Sequence, residues 1–245
     1  MLHVALVGAS GGIGAAILEN LLARDDILHI SATYFASPAA SSLGNIAAHG
    51  GNTELHWTEL DARDENQVMQ WMAGLGQADW IINCAGMLHD SHHMPEKSIE
   101  TFSPSYFEKC IAVNTLPTLL LAKHARSVLK SSNRAVFATI SAKVGSISDN
   151  RLGGWYSYRA SKAALNMALK CLSIEWARNA RNIKVAALHP GTTDSRLSKP
   201  FQKNVPQGKL FPTAKTAAFL VEQIESLHHR ESGCFLAYDG EEIPW

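Results

Sequence analysis

The chain has 245 residues, enough to bury a large hydrophobic core without a disulfide or a metal to hold it together. Hydrophobic residues make up 46% and charged residues 18%, a composition that excludes an intrinsically disordered chain. Lys and Arg together number 22, and so do Asp and Glu, so no net charge favours nucleic acid or an acidic membrane surface.

Short apolar runs typical of buried strands alternate with longer helical patterns along the chain. The predicted strands are 2–7, 27–34, 55–60, 78–83, 135–140, 183–188 and 234–237. The predicted helices are 15–24, 38–49, 64–75, 103–131, 157–179 and 213–227. This alternation predicts an α/β fold: a single doubly wound Rossmann domain over 1–245, with a mostly parallel seven-stranded sheet and helices on both faces. A small substrate lobe is expected around 192–212.

A glycine-rich turn follows the first predicted strand and opens the first predicted helix. Its glycines, Gly8, Gly12 and Gly14, are spaced G-x-x-x-G-x-G. Glycine permits a tight turn and lets backbone N–H groups approach a pyrophosphate, which the helix N-terminus also favours. A purely structural turn is the alternative, but the position between strand and helix favours a dinucleotide site.

Two other strand ends carry polar side chains. Asn83 closes the fourth strand, where Ala85 and Gly86 would let a cofactor lie against the backbone and Asn83 could hold the turn. Asp61 follows the third strand and could accept a hydrogen bond from an adenine amino group. The alternative for Asp61 is the N-cap of the next helix.

Tyr158 and Lys162 are four residues apart, a spacing that places both on one face of a helix. A tyrosine with its ordinary pKa of about 10 exchanges protons poorly at neutral pH, and a neighbouring ammonium would lower that pKa. Ser141 follows the fifth strand, and its hydroxyl could bond a substrate oxygen. These residues indicate proton transfer to a carbonyl or from an alcohol.

The ordered set of the glycine turn, 83–86, Asn114, Ser141, Tyr158 with Lys162, and 189–191 resembles the short-chain dehydrogenase/reductase family over essentially the whole chain. The resemblance implies an NAD(P)-dependent oxidoreductase that interconverts a carbonyl and an alcohol by hydride transfer. Tyr158 would be the general acid/base, Lys162 would lower its pKa and bond the nicotinamide ribose, and Ser141 would hold the substrate oxygen. Asn114 would anchor a water in the proton relay.

The same resemblance implies a cofactor site that runs through the whole chain. The residues expected to bind the cofactor are Gly8, Ser10, Gly12, Ile13, Gly14, Asp61, Asn83, Ala85, Gly86, Tyr158, Lys162, Pro190, Gly191 and Thr192. The segment 190–192 would touch the nicotinamide carboxamide.

Two segments resemble the C-factor-like, sniffer-like branch of the family: the loop 149–158 and the C-terminus 239–245. Ser141 and Tyr158 are 17 residues apart, wider than in most members, so the extra residues are expected to bulge toward the substrate. Because members of this branch are described both as carbonyl reductases and as signalling proteins, a dinucleotide-binding regulatory protein with vestigial catalysis is the alternative function.

The end of the second strand, 32–37, contains no Asp or Glu to bond the ribose 2′-hydroxyl of NAD. It also contains no Lys or Arg to bind the phosphate of NADP. The sequence favours NADP(H) over NAD(H), because no acidic residue is present at this strand end to repel the 2′-phosphate.

Further expectations concern partners and location. The four cysteines, Cys84, Cys110, Cys171 and Cys234, show no metal-ligand spacing, so we expect reduced thiols in a cytoplasmic protein and no metal site. No signal peptide and no membrane span are expected. The expected partners are a small, partly apolar carbonyl or alcohol substrate, no nucleic acid, and a second copy of the chain in a homodimer or larger homo-oligomer, with the outer faces of the long helices in contact.

Overall fold

A computed structural model describes residues 1–35 and 53–245. The strands of this part of the chain are β1 (Leu2–Val7), β2 (Ile27–Tyr34), β3 (Glu54–Glu59), β4 (Trp80–Asn83), β5 (Val136–Ile140), β6 (Lys184–His189), β7 (Thr192–Thr193), β8 (Leu210–Phe211) and β9 (Cys234–Ala237). Seven of them form one sheet in the order β3-β2-β1-β4-β5-β6-β9, with every pairing parallel. The seven-stranded sheet confirms the fold expected from the alternating pattern.

Helices cover both faces of the sheet, as expected. They are α1 (Gly12–Leu22), α2 (Glu65–Leu75), α3 (Pro104–Asn114), α4 (Leu116–Leu129), α5 (Tyr156–Asn179) and α6 (Thr213–Ser226). One core joins the sheet to α1 and α6, and the other joins its opposite face to α2, α4 and α5. Burial of apolar side chains on both faces explains why the central strands are continuously hydrophobic.

The strand order reverses between β1 and β4, which lie side by side at the centre of the sheet. In doubly wound sheets a ligand binds in the crevice beyond the carboxyl ends of the strands at such a reversal. The turns after β1, β4, β5 and β6 all meet at this edge. The fold therefore brings the sequence motifs together there.

The prediction of one helix over 103–131 is wrong, because the structure has two helices that meet at Thr115. Pro117 explains the break: it has no N–H to bond the carbonyl of Val113, and its ring crowds that carbonyl. Thr115 is held at the junction, where its hydroxyl donates to the carbonyl of Ser161 at 2.8 Å. The break fixes the end of α3 against α5.

Four short 3-10 helices complete the described structure, at Ile99–Thr101, Lys143–Gly145, Lys199–Asn204 and Leu227–His229. The predicted substrate lobe at 192–212 contains the two-stranded sheet of β7 and β8, which the sequence did not predict, and one of these 3-10 helices. The predicted helix at 38–49 lies outside the described residues. Within the described ranges, no helix combines the length and apolarity that a bilayer crossing requires.

Candidate active site

Backbone amides line the turn after β1, at the point where the strand order reverses. The sequence-predicted residues Gly8, Ser10, Gly12, Ile13 and Gly14 all lie in this turn or in the first turn of α1. The N-cap of α1 is Gly11, which offers no side chain to bond the free N–H groups, and the first helical turn contains no acidic residue. Free amides and the positive end of the helix dipole favour an anion, so the segment fits a phosphate group.

Glycine is required at two of these positions. A Cβ on Gly14 would overlap the carbonyl oxygen of Gly8. Gly8 has a φ of +75°, and a Cβ there would approach the backbone nitrogen of Ala85 to 3.1 Å. The turn can therefore pack closely against both α1 and the segment after β4, and no side chain at these two positions blocks its backbone N–H groups from an anion.

Asn83, at the end of β4, is buried and holds the turn that follows. Its side chain accepts from the backbone N–H of Ala85 at 3.0 Å and donates to the hydroxyl of Thr118 at 2.9 Å. This side chain contacts protein groups, whereas Ala85 and Gly86 line a cavity at the carboxyl edge of the sheet. Asn83 therefore shapes this part of the site through the backbone.

Asp61 follows β3 and is not the N-cap of α2, because Asp64 has that role. Its carboxylate accepts from Nε and Nη2 of Arg63 at 2.8 and 2.7 Å, and these bonds hold the pKa of Asp61 below its ordinary value. The guanidinium lies 5.0 Å from the ring centroid of Phe35. Asp61, Arg63 and Phe35 line a cavity of about 110 Å³ together with Gly8 and Thr33.

Ser141, Tyr158 and Lys162 line one cavity of about 300 Å³ at the carboxyl edge of the sheet. Ser141 follows β5, and the other two lie on α5, four residues apart. All three are buried; Tyr158 is 7% exposed and Lys162 4%. The structure thus brings together the three side chains that the sequence singles out for proton transfer.

Burial sets the protonation of the two ionisable groups on α5. It raises the pKa of Tyr158, opposite in direction to the effect expected from a neighbouring ammonium. It also lowers the pKa of Lys162 to about 8. The Lys162 amine donates to the carbonyl of Ile140 at 3.0 Å and lies 5.9 Å from the centroid of the Tyr158 ring. Tyr158 is therefore protonated at neutral pH.

Asn166 positions the hydroxyl of Ser141, which donates to its Oδ1 at 2.6 Å. Asn166 follows Lys162 by four residues, so it lies on the same helical face. The second amide atom, Nδ2, is buried with no hydrogen-bond partner in the described structure. Sequence reasoning did not single out Asn166, although the spacing of four from Lys162 was available to find it.

Asn114 lies at the junction of α3 and α4, beside the cavity. Its Oδ1 accepts from the backbone N–H of Met87 at 2.7 Å, and its Nδ2 donates to the carbonyl of Met87 and to the hydroxyl of Ser161. A Cβ on Gly86 would lie 3.2 Å from Oδ1 and 3.4 Å from the amine of Lys162. Asn114 therefore joins the segment after β4 to the helix that carries Tyr158.

The segment after β6 closes the cavity on its other side. Pro190, Gly191 and Thr192 line it, and Gly191 has a φ of +71° with the Phe211 and Tyr238 rings packed where a Cβ would lie. His189 accepts from the backbone N–H of Lys143 through Nδ1 at 3.2 Å. Burial lowers the pKa of His189 to about 4, so its imidazole is neutral.

The outer wall of the cavity is apolar. Its large apolar side chains are Met87, Leu88, Trp155, Leu197, Phe201 and Val205. The Trp155 and Phe201 rings lie 4.9 Å apart, and Trp155 lies 6.3 Å from Tyr158. Leu152, on the loop before α5, is not part of this wall and is 91% exposed.

One cluster of possible metal ligands occurs in the described ranges, at the opposite edge of the sheet. His29, Glu54 and His56 bring their ligand atoms within 4.8 Å of one another. Glu54 and His56 are largely exposed, and a structural zinc site takes four ligands in a closed arrangement. The His29–Glu54 contact of 3.0 Å is explained as a polar contact between neighbouring strands at the surface.

Comparison with known proteins matches the chain to one family. A family model described as short chain dehydrogenase matches residues 2–206. The 1-hydroxy-2-glutathionyl-2-methyl-3-butene dehydrogenase of Rhodococcus sp. (strain AD45) is 27% identical over 245 residues and spans 100% of both chains. C-signal of Myxococcus xanthus is 28% identical over 137 residues, which are 56% of this chain and 77% of its own.

Solved structures share the whole fold. Carbonyl reductase Sniffer of D. melanogaster superposes with a TM-score of 0.86 at 24% identity, covering 100% of both chains. An NADPH-bound carbonyl reductase from chicken fatty liver superposes with a TM-score of 0.85 at 25% identity, covering 100% of this chain and 99% of its own. The similarity to C-signal and Sniffer agrees with the resemblance of the loop 149–158 and the C-terminus 239–245 to the C-factor-like, sniffer-like branch.

Proposed function

The chain belongs to the short-chain dehydrogenase family, and we propose that it interconverts a carbonyl and an alcohol with NADP(H), using Tyr158 as the general acid/base. The observation that carries this proposal is the convergence of buried Tyr158, Lys162 and Ser141 on one cavity. Ile13 from the phosphate-binding turn and Pro190 line the same cavity. A dinucleotide anchored at the turn would therefore extend toward the proton-transfer groups.

In the proposed reduction, Tyr158 and Ser141 act on the carbonyl oxygen in different ways. When bound, the nicotinamide supplies the hydride that reduces the carbonyl carbon. Tyr158 is protonated at neutral pH and donates its proton to the carbonyl oxygen. The Ser141 hydroxyl donates its one hydrogen to Asn166 in this structure, and it would turn from Asn166 to donate to the same carbonyl oxygen. In the reverse direction, Tyr158 would accept the proton of an alcohol whose carbon gives its hydride to the oxidised nicotinamide.

Lys162 and Asn114 support this step. The Lys162 amine bonds the carbonyl of Ile140 and retains donors for a ribose hydroxyl, as the family resemblance implies. Asn114 uses both amide hydrogens on Met87 and Ser161, so it would anchor a relay water through its remaining Oδ1 lone pair. Both roles are part of the proposal.

Arg63 supports a preference for NADP(H). No Lys or Arg occurs between Arg24 and Arg63, so the second strand and the segment that follows it contain neither. The fold brings Arg63 to the end of β2, over Phe35 and beside the cavity that also contains Gly8. A guanidinium there would bind the 2′-phosphate, and it already neutralises Asp61.

Paired titrations with NADPH and NADH test this preference. We expect tighter binding of NADPH, and a loss of about tenfold for NADPH alone in Arg63→Gln, because one charge-assisted contact is removed. Arg151→Gln, which changes an exposed arginine in another loop, is the control. Tighter binding of NADH by the wild-type protein, or equal loss of both nucleotides in Arg63→Gln, would contradict the assignment.

The apolar wall indicates the substrate class. Trp155, Phe201 and Leu197 face the cavity opposite the polar groups of Ser141 and Tyr158. Burial of aromatic surface against such rings is favourable, so aryl ketones and aromatic diketones suit the cavity better than small polar carbonyls. We expect a higher kcat/KM for the aromatic compounds in an assay of NADPH consumption.

A signalling role is the second candidate, and the similarity to C-signal favours it. As a signalling protein, the chain would bind a dinucleotide and its catalysis would be vestigial. NADPH binding without turnover of any carbonyl compound would favour this role.

A cytoplasmic location is proposed for either function. The free thiols of Cys84, Cys110, Cys171 and Cys234 support it, because disulfides are rare in that compartment.

A further inference from the structure

The helix that carries Tyr158 begins in an unusual way. Three successive residues before its first turn, Gly153, Gly154 and Trp155, have positive φ angles of 63°, 64° and 53°. Trp155 is the N-cap of α5, and its side chain has no oxygen to bond the free N–H groups of the helix. Left-handed backbone is costly for a residue as bulky as Trp, so contacts from elsewhere must hold it.

Those contacts come from Glu96, which precedes Ser157 by 61 residues. One carboxylate oxygen accepts from the backbone N–H of Ser157 at 3.2 Å, and the other accepts from the Ser157 hydroxyl. The backbone carbonyl of Glu96 accepts from the N–H of Trp155 at 2.5 Å. Glu96 therefore forms hydrogen bonds to the residues on either side of Tyr156. The second of these, Ser157, immediately precedes Tyr158.

Burial makes this arrangement strong. Glu96 is 3% exposed, and Ser157 is fully buried. A carboxylate is stabilised near the positive end of a helix, and a buried one is costly unless it is hydrogen-bonded. Ser157 supplies both hydrogen bonds, so the carboxylate fixes the first turn of α5.

Glu96 belongs to the segment 87–102, which also borders the cavity. Asn114 bonds Met87 at one end of this segment, and Asp90 pairs with Lys109 of α3 at 2.7 Å. Trp155 forms part of the apolar wall, and Tyr158 is the proposed proton donor. The segment that faces the substrate is thus bonded directly to the start of the catalytic helix.

We propose that Glu96 is a positioning residue: its buried carboxylate caps α5 from the substrate-side segment and holds Trp155 and Tyr158 in their catalytic arrangement. This inference rests on the proposed function for its effect on catalysis. Its effect on the helix does not depend on activity. The two parts can therefore be tested separately.

The structural part is tested by amide hydrogen exchange on the full-length chain. We compare Glu96→Ala and Glu96→Gln with Glu100→Gln, which alters an exposed carboxylate of the same segment. Exchange in peptides covering 155–158 should be about tenfold faster in Glu96→Ala, because a hydrogen bond to a charged group is lost. Glu96→Gln keeps the volume and one acceptor oxygen, so its effect should be smaller. Equal exchange in wild type and Glu96→Ala overturns the proposal.

The catalytic part is tested with NADPH and an aryl ketone. We expect kcat to fall about tenfold in Glu96→Ala while the Kd for NADPH stays within about twofold, since misplacement of a reacting group affects turnover rather than nucleotide binding. We expect Glu96→Gln to recover part of the lost kcat. Adding Ser157→Ala to Glu96→Ala should lower kcat no further, because Glu96→Ala has already removed the hydrogen bond that the Ser157 hydroxyl donates. An unchanged kcat, or the same loss in Glu100→Gln, overturns the proposal. If the wild-type protein turns over no carbonyl compound, the proposed function fails, and the exchange data alone decide the role of Glu96.

Discussion

Lys162 shows at the residue scale how a buried ionisable group can oppose stability. Its amine is buried, and burial lowers its pKa from 10.5 to about 8. Between these values the unfolded chain binds a proton that the folded chain has released, so the stability contribution of this residue rises with pH across that window. Below about pH 8 the full cost of burying the ammonium is present.

Replacement of Lys162 by Met should therefore stabilise the protein at neutral pH. We expect a gain of about 2 kcal/mol at pH 7 after allowing for the lost hydrogen bond to Ile140, and almost no gain near pH 10. Urea unfolding at the two pH values measures this difference. Lys130→Met, at an exposed position, should have little effect at either pH. A gain in Lys162→Met that is the same at both pH values would contradict the burial argument.

At the scale of elements, the close packing of α1 against the turn after β1 depends on Gly14. A methyl group there meets backbone rather than a movable side chain. Gly14→Ala should destabilise the fold by about 2 kcal/mol and weaken NADPH binding, because α1 must move away from the turn.

Gly74 provides a matched control in another helix. It lies in α2, and a Cβ there would meet nothing within 4 Å. Gly74→Ala should stabilise the fold by about 0.5–1 kcal/mol, since alanine favours the helix and no contact opposes it. Urea unfolding and NADPH titration of both variants measure the contrast. Similar effects of the two substitutions would show that packing at Gly14 is not the cause.

The sequence predicted most elements but not every boundary. Apolar periodicity identified all seven strands of the main sheet. The signal is clearest for β1, β4, β5 and β6, because strands buried on both faces read as continuous apolar runs, whereas the edge strand β3 is partly exposed. The same periodicity continues across Thr115 and Pro117, so the break between α3 and α4 was missed although Pro117 signals it. The strands β7 and β8 have two residues each, too few to form a pattern.

The candidate site was predictable where the chemistry is local in sequence. Tyr158 and Lys162 form an i,i+4 pair, and the glycine turn is continuous. Glu96 and Arg63 were not predictable, because each acts through a group that only the tertiary fold brings near. Glu96 bonds Ser157 from a segment without regular strands, and Arg63 reaches the end of β2 from the turn after β3.

At the scale of the whole molecule, the outer face of α5 carries exposed apolar side chains, and we expect a second copy of the chain to cover them. Met167 and Ile174 are seven residues apart on this helix and are exposed, as is Leu119 on α4. Paired copies would bury these side chains. We expect a homodimer or larger homo-oligomer in light scattering, and dissociation in the double variant Met167→Glu, Ile174→Lys.

Leu152 provides the control for this surface, since it is exposed on a loop before α5. Leu152→Lys should leave the oligomer intact. A monomeric wild-type protein, or an oligomer that survives the double variant on α5, would contradict the assignment of this face.

The most direct test of Tyr158 as the general acid/base follows deuterium from NADPH labelled at both C4 positions into the product of an aryl ketone. We expect deuterium on the carbinol carbon with the wild-type protein. We expect none with Tyr158→Phe, which should still bind NADPH within about twofold, because the hydroxyl donates the proton and does not hold the nucleotide phosphates. Deuterium transfer that persists in Tyr158→Phe would contradict the role of Tyr158. NADPH binding with no transfer to any carbonyl compound in the wild-type protein would contradict the enzymatic function itself.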